Sequence, residues 1–355
     1  MGMTRRQMAL ATVGLVAMGC MPRGGGEPSF PIVIAHRGAS GERPEHTLGA
    51  YQLGIDQGAD FIEPDLVMSK DGVLVCRHEN EISETTDVAS RSEFLSRRAT
   101  KQIDGQDFTG WFVEDFTLAE LKTLRCIERL AQIRPSNMAY NGTEQIPTFA
   151  EVMALAKAAQ VGVYPELKHP SHHHSRGLDP VAALATALRE GGFGAHPDRV
   201  FVQCFEIGAL KAFSQATANQ FACIQLISAE GGPADDPAQT YANMLTDEGL
   251  AAIKTYAVGI GVQKSLIIPR DSADRSLAPT DLVARAHAAG LKVHAWTFRS
   301  ENTFLPEELR AGSDPTARGD GRAEVTAFLE LGVDGVFSDF PEDAFEAREA
   351  WSANP

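Results

Sequence analysis

A (β/α)₈ barrel of the TIM type, α/β in class and carrying one inserted subdomain, is the fold this sequence predicts, and three observations predict it. Short β-branched runs alternate with amphipathic helical patterns along most of the chain, as expected of parallel strands joined by helical crossovers. Eight such runs fall within a body of about 300 residues, the length of a closed barrel. No Gly-x-Gly-x-x-Gly follows any of them, so an open dinucleotide-binding sheet has no support. A chain of 355 residues with 43% apolar content has enough material for such a core.

Residues 1–30 stand apart from the fold. Thr4-Arg5-Arg6-Gln7 leads an uncharged run from Met8 to Gly19 that is too short to cross a bilayer. It reads as an export signal of the twin-arginine kind, with Gly24-Gly25-Gly26-Glu27-Pro28 as a tether. Cys20 follows Ala17-Met18-Gly19, an imperfect lipoprotein cleavage site. Lipid anchoring at Cys20 and plain cleavage near Gly19 stand as equal alternatives. The globular domain is expected over 31–345.

Taken in order, residues 32–35 form the first strand. A helix at 47–57 leads to the second strand at 60–65. Ser69-Lys70-Asp71-Gly72 then reverses the chain, since Asp-Gly favours a tight turn. The run 73–78 is expected to fold back on 66–68 and to set His78 opposite Glu63. Residues 79–146 hold no barrel unit. Their helix-like pieces at 91–101 and 117–130, separated by polar loops, read as an insertion over one side of the barrel mouth. Strands are expected at 161–167, 200–205, 221–227, 257–262, 293–298 and 335–338. Helices are expected at 148–160, 180–190, 207–216, 279–289 and 323–331, and a Gly/Pro/Asp-rich loop at 229–238. Cys204 and Cys223 fall within strands and read as buried thiols. Without a Cys-x-x-Cys the chain offers no zinc or redox motif.

The charge balance excludes some partners. The formal net charge is −15, and residues 1–20 contribute only Arg5 and Arg6, so the body is more acidic still. Nucleic acid and anionic membrane would be repelled from such a surface. A small phosphate ester would not, where local cations or a metal invert the sign.

In a parallel barrel the reacting groups sit at the C-terminal ends of the strands. His36 and Arg37 follow the first strand, and Glu63 and Asp65 end the second. Glu166 and Lys168 end the run 161–167, Gln203 and Phe205 the next, and Trp296 comes near the end of the penultimate one. The i, i+2 spacing turns both members of Glu63/Asp65 and of Glu166/Lys168 toward the mouth. Three converging carboxylates call for a hard cation, and oxygen-only ligands favour Ca²⁺ or Mg²⁺ over zinc. His36 and His78 supply a proton acceptor and donor, and Arg37 a fork for phosphate. Together these suit cleavage of a phosphodiester.

The same residues carry a family resemblance. Ala35-His36-Arg37-Gly38-Ala39-Ser40-Gly41, Pro44-Glu45-His46-Thr47, Glu63-x-Asp65-Leu66, Lys70-Asp71-Gly72, the run ending in His78, Glu166-Leu167-Lys168 and Val333-Asp334-Gly335-Val336-x-Ser338-Asp339 appear in this order. The chain resembles the glycerophosphodiester phosphodiesterases, particularly the exported, periplasmic bacterial type, over residues 32–341. The resemblance implies a TIM barrel that holds one divalent cation, Ca²⁺ ahead of Mg²⁺. It implies hydrolysis of deacylated phospholipids to glycerol 3-phosphate and an alcohol. It makes His36 and His78 the acid/base pair, in either order, and Glu63, Asp65 and Glu166 the metal carboxylates. Arg37 and Lys168 become phosphate cations, and Phe205 and Trp296 walls for the glycerol, with Gln203 toward its hydroxyls. Glu79 where Asp is commoner, and His46 where Asn is commoner, are the departures.

Plainer roles compete at some positions. Glu45, His46 and Thr47 are read first as caps of the helix at 47–57, and Lys70-Asp71-Gly72 as turn chemistry. His172-His173-His174 is read as a polar loop rather than a metal tract. A phospholipase D-like enzyme on a similar barrel, and a surface lipoprotein that mainly binds a partner, remain the alternatives. The leaving alcohol is expected to face solvent and to be poorly discriminated.

Overall fold

The structure, a computed structural model, describes residues 30–353. The expected signal, tether and Cys20 lie outside the described residues. Pro31 onward forms one compact unit.

The barrel strands are β1 (Ile32–His36), β2 (Phe61–Glu63) and β3 (Asp65–Met68). The hairpin strand β4 (Leu74–Cys76) follows, then β5 (Ala99–Ile103) and β6 (Gln106–Gly110) as a separate two-stranded sheet. β7 (Gly162–Val163), β8 (Glu166–Leu167), β9 (Phe201–Cys204), β10 (Ala222–Ile227), β11 (Gly259–Gln263), β12 (Lys292–Phe298) and β13 (Gly335–Ser338) complete the large sheet. Two prolines explain why two expected strands are each divided. Pro64 lies between β2 and β3, and Tyr164-Pro165 lies between β7 and β8, because proline cannot donate to a ladder. Parallel pairings run β1–β2, β2–β7, β3–β8, β8–β9 and onward to β13, which pairs with β1. The sheet is therefore TIM-barrel-like and follows chain order.

Register is what positions the site. His36 lies opposite Glu63, while Asp65 lies opposite Glu166 and Glu166 opposite Gln203. Five candidate residues from five strands thus come to one end of the sheet.

Helices α1 (Leu48–Asp56), α2 (Leu118–Leu121), α3 (Phe149–Ala159), α4 (Pro170–Ser175), α5 (Pro180–Glu190) and α6 (Ile207–Ala216) precede β10. After it come α7 (Tyr241–Met244), α8 (Asp247–Ile253), α9 (Leu282–Ala288), α10 (Gly321–Glu330) and α11 (Pro341–Ser352). Their starts are encoded locally. Thr47 caps α1 by accepting from the Ala50 amide, Thr148 and Glu151 form a capping box on α3, and Asp179 precedes Pro180 at the start of α5. α11 extends the domain beyond residue 345 and packs on α10 and β1.

Inside the ring, Ile34, Phe61, Tyr164, Ile224 and Phe337 form a small core. Tyr164 stacks on Phe201 and meets Phe337 edge-on at 4.9 Å between centroids. A larger apolar layer joins the outer faces of the strands to the helices. A third cluster, which includes Val67, Val75, Phe94, Trp111, Phe116 and Ile146, binds residues 79–146 to the β3–β4 hairpin.

Two local expectations need correction. The β3–β4 register is Leu66↔Cys76 and Met68↔Leu74, which carries His78 opposite Pro64 rather than Glu63. Ser69 closes the turn by donating to the Val73 carbonyl, and Gly72 sits at φ +82°. The loop is therefore the three-residue kind ending in a left-handed glycine, one residue longer than a two-residue turn. The piece 91–101 is also no helix: a 3₁₀ turn, Ser92–Arg97, leads into β5, and only α2 is helical in 117–130. Asp104-Gly105, both at positive φ, is a second Asp-Gly reversal and builds the β5–β6 hairpin.

One core group makes stability depend on pH. His294 is buried with Nδ1 2.7 Å from the Tyr164 hydroxyl, and burial pushes its pKa down to about 4. The unfolded chain, with an ordinary histidine near 6.5, takes up that proton first. Acidification from about pH 6.5 to about 4 should therefore remove up to about 3 kcal/mol of stability through this residue. His294→Gln should flatten the pH dependence of urea unfolding in that window, and an unchanged slope would refute the assignment.

Candidate active site

The first βα turn is shaped by backbone constraint. Arg37 and His46 adopt φ +61° and +53°, a region side chains avoid unless surrounding structure holds them there. Gly38, at φ +85°, lets helix α1 approach, because a Cβ there would stand 2.5 Å from the Ala50 carbonyl carbon. The turn brings the Arg37 amide within 2.8 Å of Glu63 Oε2 and His46 Nε2 within 2.9 Å of Asp65 Oδ2.

Glu63, Asp65 and Glu166 are buried and each offers an oxygen within 4.8 Å of the others. Gln203 Nε2 donates to Glu63 Oε1 at 3.0 Å, so this residue braces a carboxylate. Asp65 Oδ1 accepts no hydrogen bond, and Glu166 Oε1 has the Lys168 ammonium beside it. Burial, with Asp65 and Glu166 adding to it, holds Glu63 well above the usual carboxylate range. Burial also lifts Glu166 to about 8, against the pull of Lys168. Asp65 stays well below its ordinary value despite burial, held there by the His46 hydrogen bond and nearby cations. Crowded, partly unpaired buried oxygens of this kind fit a hard cation.

The cations face the same opening. Arg37 contacts Glu45 at 3.2 Å and lies 3.4 Å from Asp65, and Lys168 Nζ stands 3.1 Å from Glu166 Oε1 and 3.3 Å from His78 Nε2. Burial works against the Lys168 charge, but Glu166 and Asp65 outweigh it and hold the amine above its usual value.

His36 Nδ1 lies 2.6 Å from Asp339 Oδ1. Burial first, then Arg37, push its pKa down to about 4, although Asp339 opposes them. Enclosure, Arg37 and Lys168 likewise take His78 to about 3, with Glu79 Oε1 2.5 Å from its Nδ1. Without substrate both rings are neutral at pH 7.

All ten sequence candidates converge except in one respect. His36, Arg37, Glu63, His78, Glu166, Lys168, Gln203, Phe205 and Trp296 line one cavity of about 740 Å³. Asp65 lies just behind it, buried against Arg37 and His46. Phe205 and Trp296 meet edge-on with centroids 6.1 Å apart.

The capping reading holds for Thr47 alone. Glu45 is buried between Arg37 and Arg129, and fully buried His46 joins Asp65 to the Tyr51 hydroxyl. His172 and His173 lie in α4 rather than in a loop, where His172 meets Glu114 of the inserted segment at 2.8 Å. Sequence reasoning gave Asp339, which follows the last strand, no role, and it passed over Arg134 and Arg299. Arg134 Nη2 and Arg299 Nε reach Asp339 Oδ2 at 2.6 and 2.8 Å, while Arg134 Nε reaches Glu301 at 2.6 Å. Asp339 was visible in the resembling Val333–Asp339 motif, but nothing local marked Arg134.

Two neutral histidines facing cations and a carboxylate cage across a barrel mouth define the class: a hydrolase of phosphoric diesters. Comparison with known proteins narrows it. The model of the glycerophosphoryl diester phosphodiesterase family matches residues 36–343. The chain is 37% identical over 343 residues to a glycerophosphodiester phosphodiesterase of Arabidopsis thaliana, covering 93% of this chain and 89% of the relative. It is 30% identical over 346 residues to the Haemophilus influenzae enzyme, covering 90% of each. Among solved structures, an Oleispira antarctica phosphodiesterase in complex with the product sn-glycerol 3-phosphate superposes with a TM-score of 0.59 at 22% identity, covering 90% of this chain and 97% of that one. The Agrobacterium tumefaciens glycerophosphodiester phosphodiesterase gives 0.56 at 18%, covering 88% and 99%. The chain belongs to the glycerophosphoryl diester phosphodiesterase family and is an enzyme of that kind.

The tautomer is open to measurement. Asp339 accepts from His36 Nδ1–H and leaves Nε2 as the free lone pair. Nitrogen-15 spectra of the metal-free protein should show a neutral, Nδ1-protonated His36 from pH 8 down to pH 5. Asp339→Asn removes a charge that favours the proton, so it should lower the pKa further. An imidazolium at pH 7 would contradict the geometry.

Proposed function

We propose that this enzyme hydrolyses glycerophosphodiesters to sn-glycerol 3-phosphate and an alcohol, with one divalent cation and His36 and His78 as the acid/base pair. The carrying observation is the buried Glu63/Asp65/Glu166 cluster, whose crowded oxygens, Asp65 Oδ1 unpaired among them, lie beside two histidines and two cations. The glycerol 3-phosphate bound to the Oleispira relative agrees with that product.

Glu63, Asp65 and Glu166 would hold the cation, Ca²⁺ ahead of Mg²⁺, and it would supply charge stabilisation for the phosphoryl group. Arg37 and Lys168 grip the phosphate oxygens, and Phe205 and Trp296 pack on the carbon face of the glycerol. One neutral histidine takes the proton of the attacking oxygen. The other gives a proton to the leaving alkoxide, and it carries that proton only when the bound anionic diester favours the imidazolium. Residues 79–146 would be the inserted subdomain beside this mouth, a reading supported by the His172–Glu114 and Arg134–Asp339 contacts.

The test is an assay for glycerol 3-phosphate from glycerophosphocholine, with and without EDTA. Activity should be lost with the chelator and return on adding Ca²⁺. Glu63→Ala should lose both metal and turnover while remaining folded. His36→Ala and His78→Ala should each cost about 10²- to 10⁴-fold. Retention of a tenth of the rate removes that histidine from the mechanism, and equal turnover of diacyl phosphatidylcholine would point to a phospholipase instead.

Residues 1–30 support an exported member of the family, periplasmic or held by lipid at Cys20. Fractionation of the native host should place the protein in the envelope, and recovery of full-length protein in the cytoplasm would refute that placement.

A further inference from the structure

The cavity is larger than a three-carbon phosphate needs. At about 740 Å³ it matches sites that enclose much bigger ligands. Beyond Trp296 it continues between the segments that follow β11 and β12, where Ile268, Phe304, Leu309 and Phe328 form apolar walls. This arm contains no reacting group.

Its polar lining holds three cations, each paired with a carboxylate, and Arg270 also meets Asp274 at 3.2 Å. Lys264 Nζ and Arg270 Nη2 share one carboxylate, Glu324, at 2.7 and 2.8 Å. Arg299 enters from the side nearest His36. Its Nε is tied to Asp339 Oδ2 and its guanidinium carbon lies 4.7 Å from the centre of the Phe304 ring. Among the described residues, Nη1 and Nη2 of Arg299 donate to no protein group. An arginine fixed at one edge and on one face, with its fork unused, is preorganised for a planar or tetrahedral anion.

We propose that Arg299, backed by Lys264 and Arg270, binds an anionic group carried by the leaving alcohol. This rests on the reaction proposed above. It replaces the expectation of an indifferent, solvent-facing alcohol with a charge preference: a phosphate- or carboxylate-bearing alcohol is favoured by the free fork of Arg299, which also disfavours a quaternary ammonium.

The test compares four substrates of the metal-loaded enzyme: glycerophosphoinositol 4-phosphate, glycerophosphoserine, glycerophosphoglycerol and glycerophosphocholine. KM should rise in that order, the first two separating a phosphate from a carboxylate. Arg299→Gln should raise KM for the phosphate-bearing ester by roughly tenfold to 100-fold relative to the glycerol ester, the range of a charge-assisted hydrogen bond. Any effect through Asp339 and His36 should lower kcat for all four alike. Arg270→Gln, which does not touch Asp339, should shift the same KM ratio in the same direction. Equal KM values across the four, or variants that change all four equally, would overturn the subsite while leaving the reaction standing. Preference for a lysophosphatidylcholine would also overturn it, assigning the arm to an acyl chain. Failure to cleave any of the four would refute the proposed reaction itself.

Discussion

The structure depends on balancing charge that the barrel forces together. Parallel register places Glu63, Asp65 and Glu166 at one end of the sheet, with oxygens within 4.8 Å. Two like charges about 4 Å apart at an effective dielectric near 20 repel by about 4 kcal/mol, comparable with much of a domain's net stability. Arg37, Lys168 and His46 each offset part of that repulsion from a different element. The left-handed backbone at Arg37 and His46 is the geometric cost of bringing those groups in so soon after β1. A cation would relieve what remains, which is why the orphaned oxygen of Asp65 carries more weight than the count of acids.

Asp339 is the second hub. Its two oxygens serve His36 on one side and Arg134 and Arg299 on the other. Burial opposes its charge, and Arg299 and Arg134 hold it well below the ordinary carboxylate range. Arg134 comes from the segment 79–146 and also meets Glu301 and the Ser40 carbonyl. That segment therefore reaches the histidine in two steps, through Arg134 and Asp339. Its own apolar cluster, continuous with the β3–β4 hairpin, makes that reach rigid. A surface excursion would be free to drift, whereas this one is fastened at its core and at its tip.

Much of this was legible in the sequence, for stated reasons. Strand ends in a parallel barrel share one face, so His36, Glu63, Asp65, Glu166 and Lys168 were readable from position alone. Thr47 was readable as a cap because capping is local. Glu45 and His46 were not, since their partners Arg129 and Asp65 lie far along the chain or on another strand. Arg134 sits in an irregular stretch with no period to read. The β5–β6 hairpin was missed although Asp104-Gly105 carries the same turn signal as Asp71-Gly72. There, charged residues at helical spacing masked a two-residue alternation. The one-residue error at His78 has the same root: a turn dipeptide announces a reversal, but the loop length that fixes register depends on which residue takes the left-handed position.

The barrel divides its labour along its axis. Tyr164, Phe201, Phe337 and His294 fill the interior, where a change of shape disturbs every strand. The candidate site groups hang from strand ends and short turns braced by those strands. The arm beyond Trp296 is built from the longer segments after β11 and β12, whose length can change without moving β1, β2 or β8. The proposed phosphate site is thus tied to the most constrained part of the fold and the proposed alcohol subsite to the least. Under the proposed subsite, that arrangement would let one reaction be kept while the range of diesters is adjusted, with Arg299 joining the two parts through Asp339.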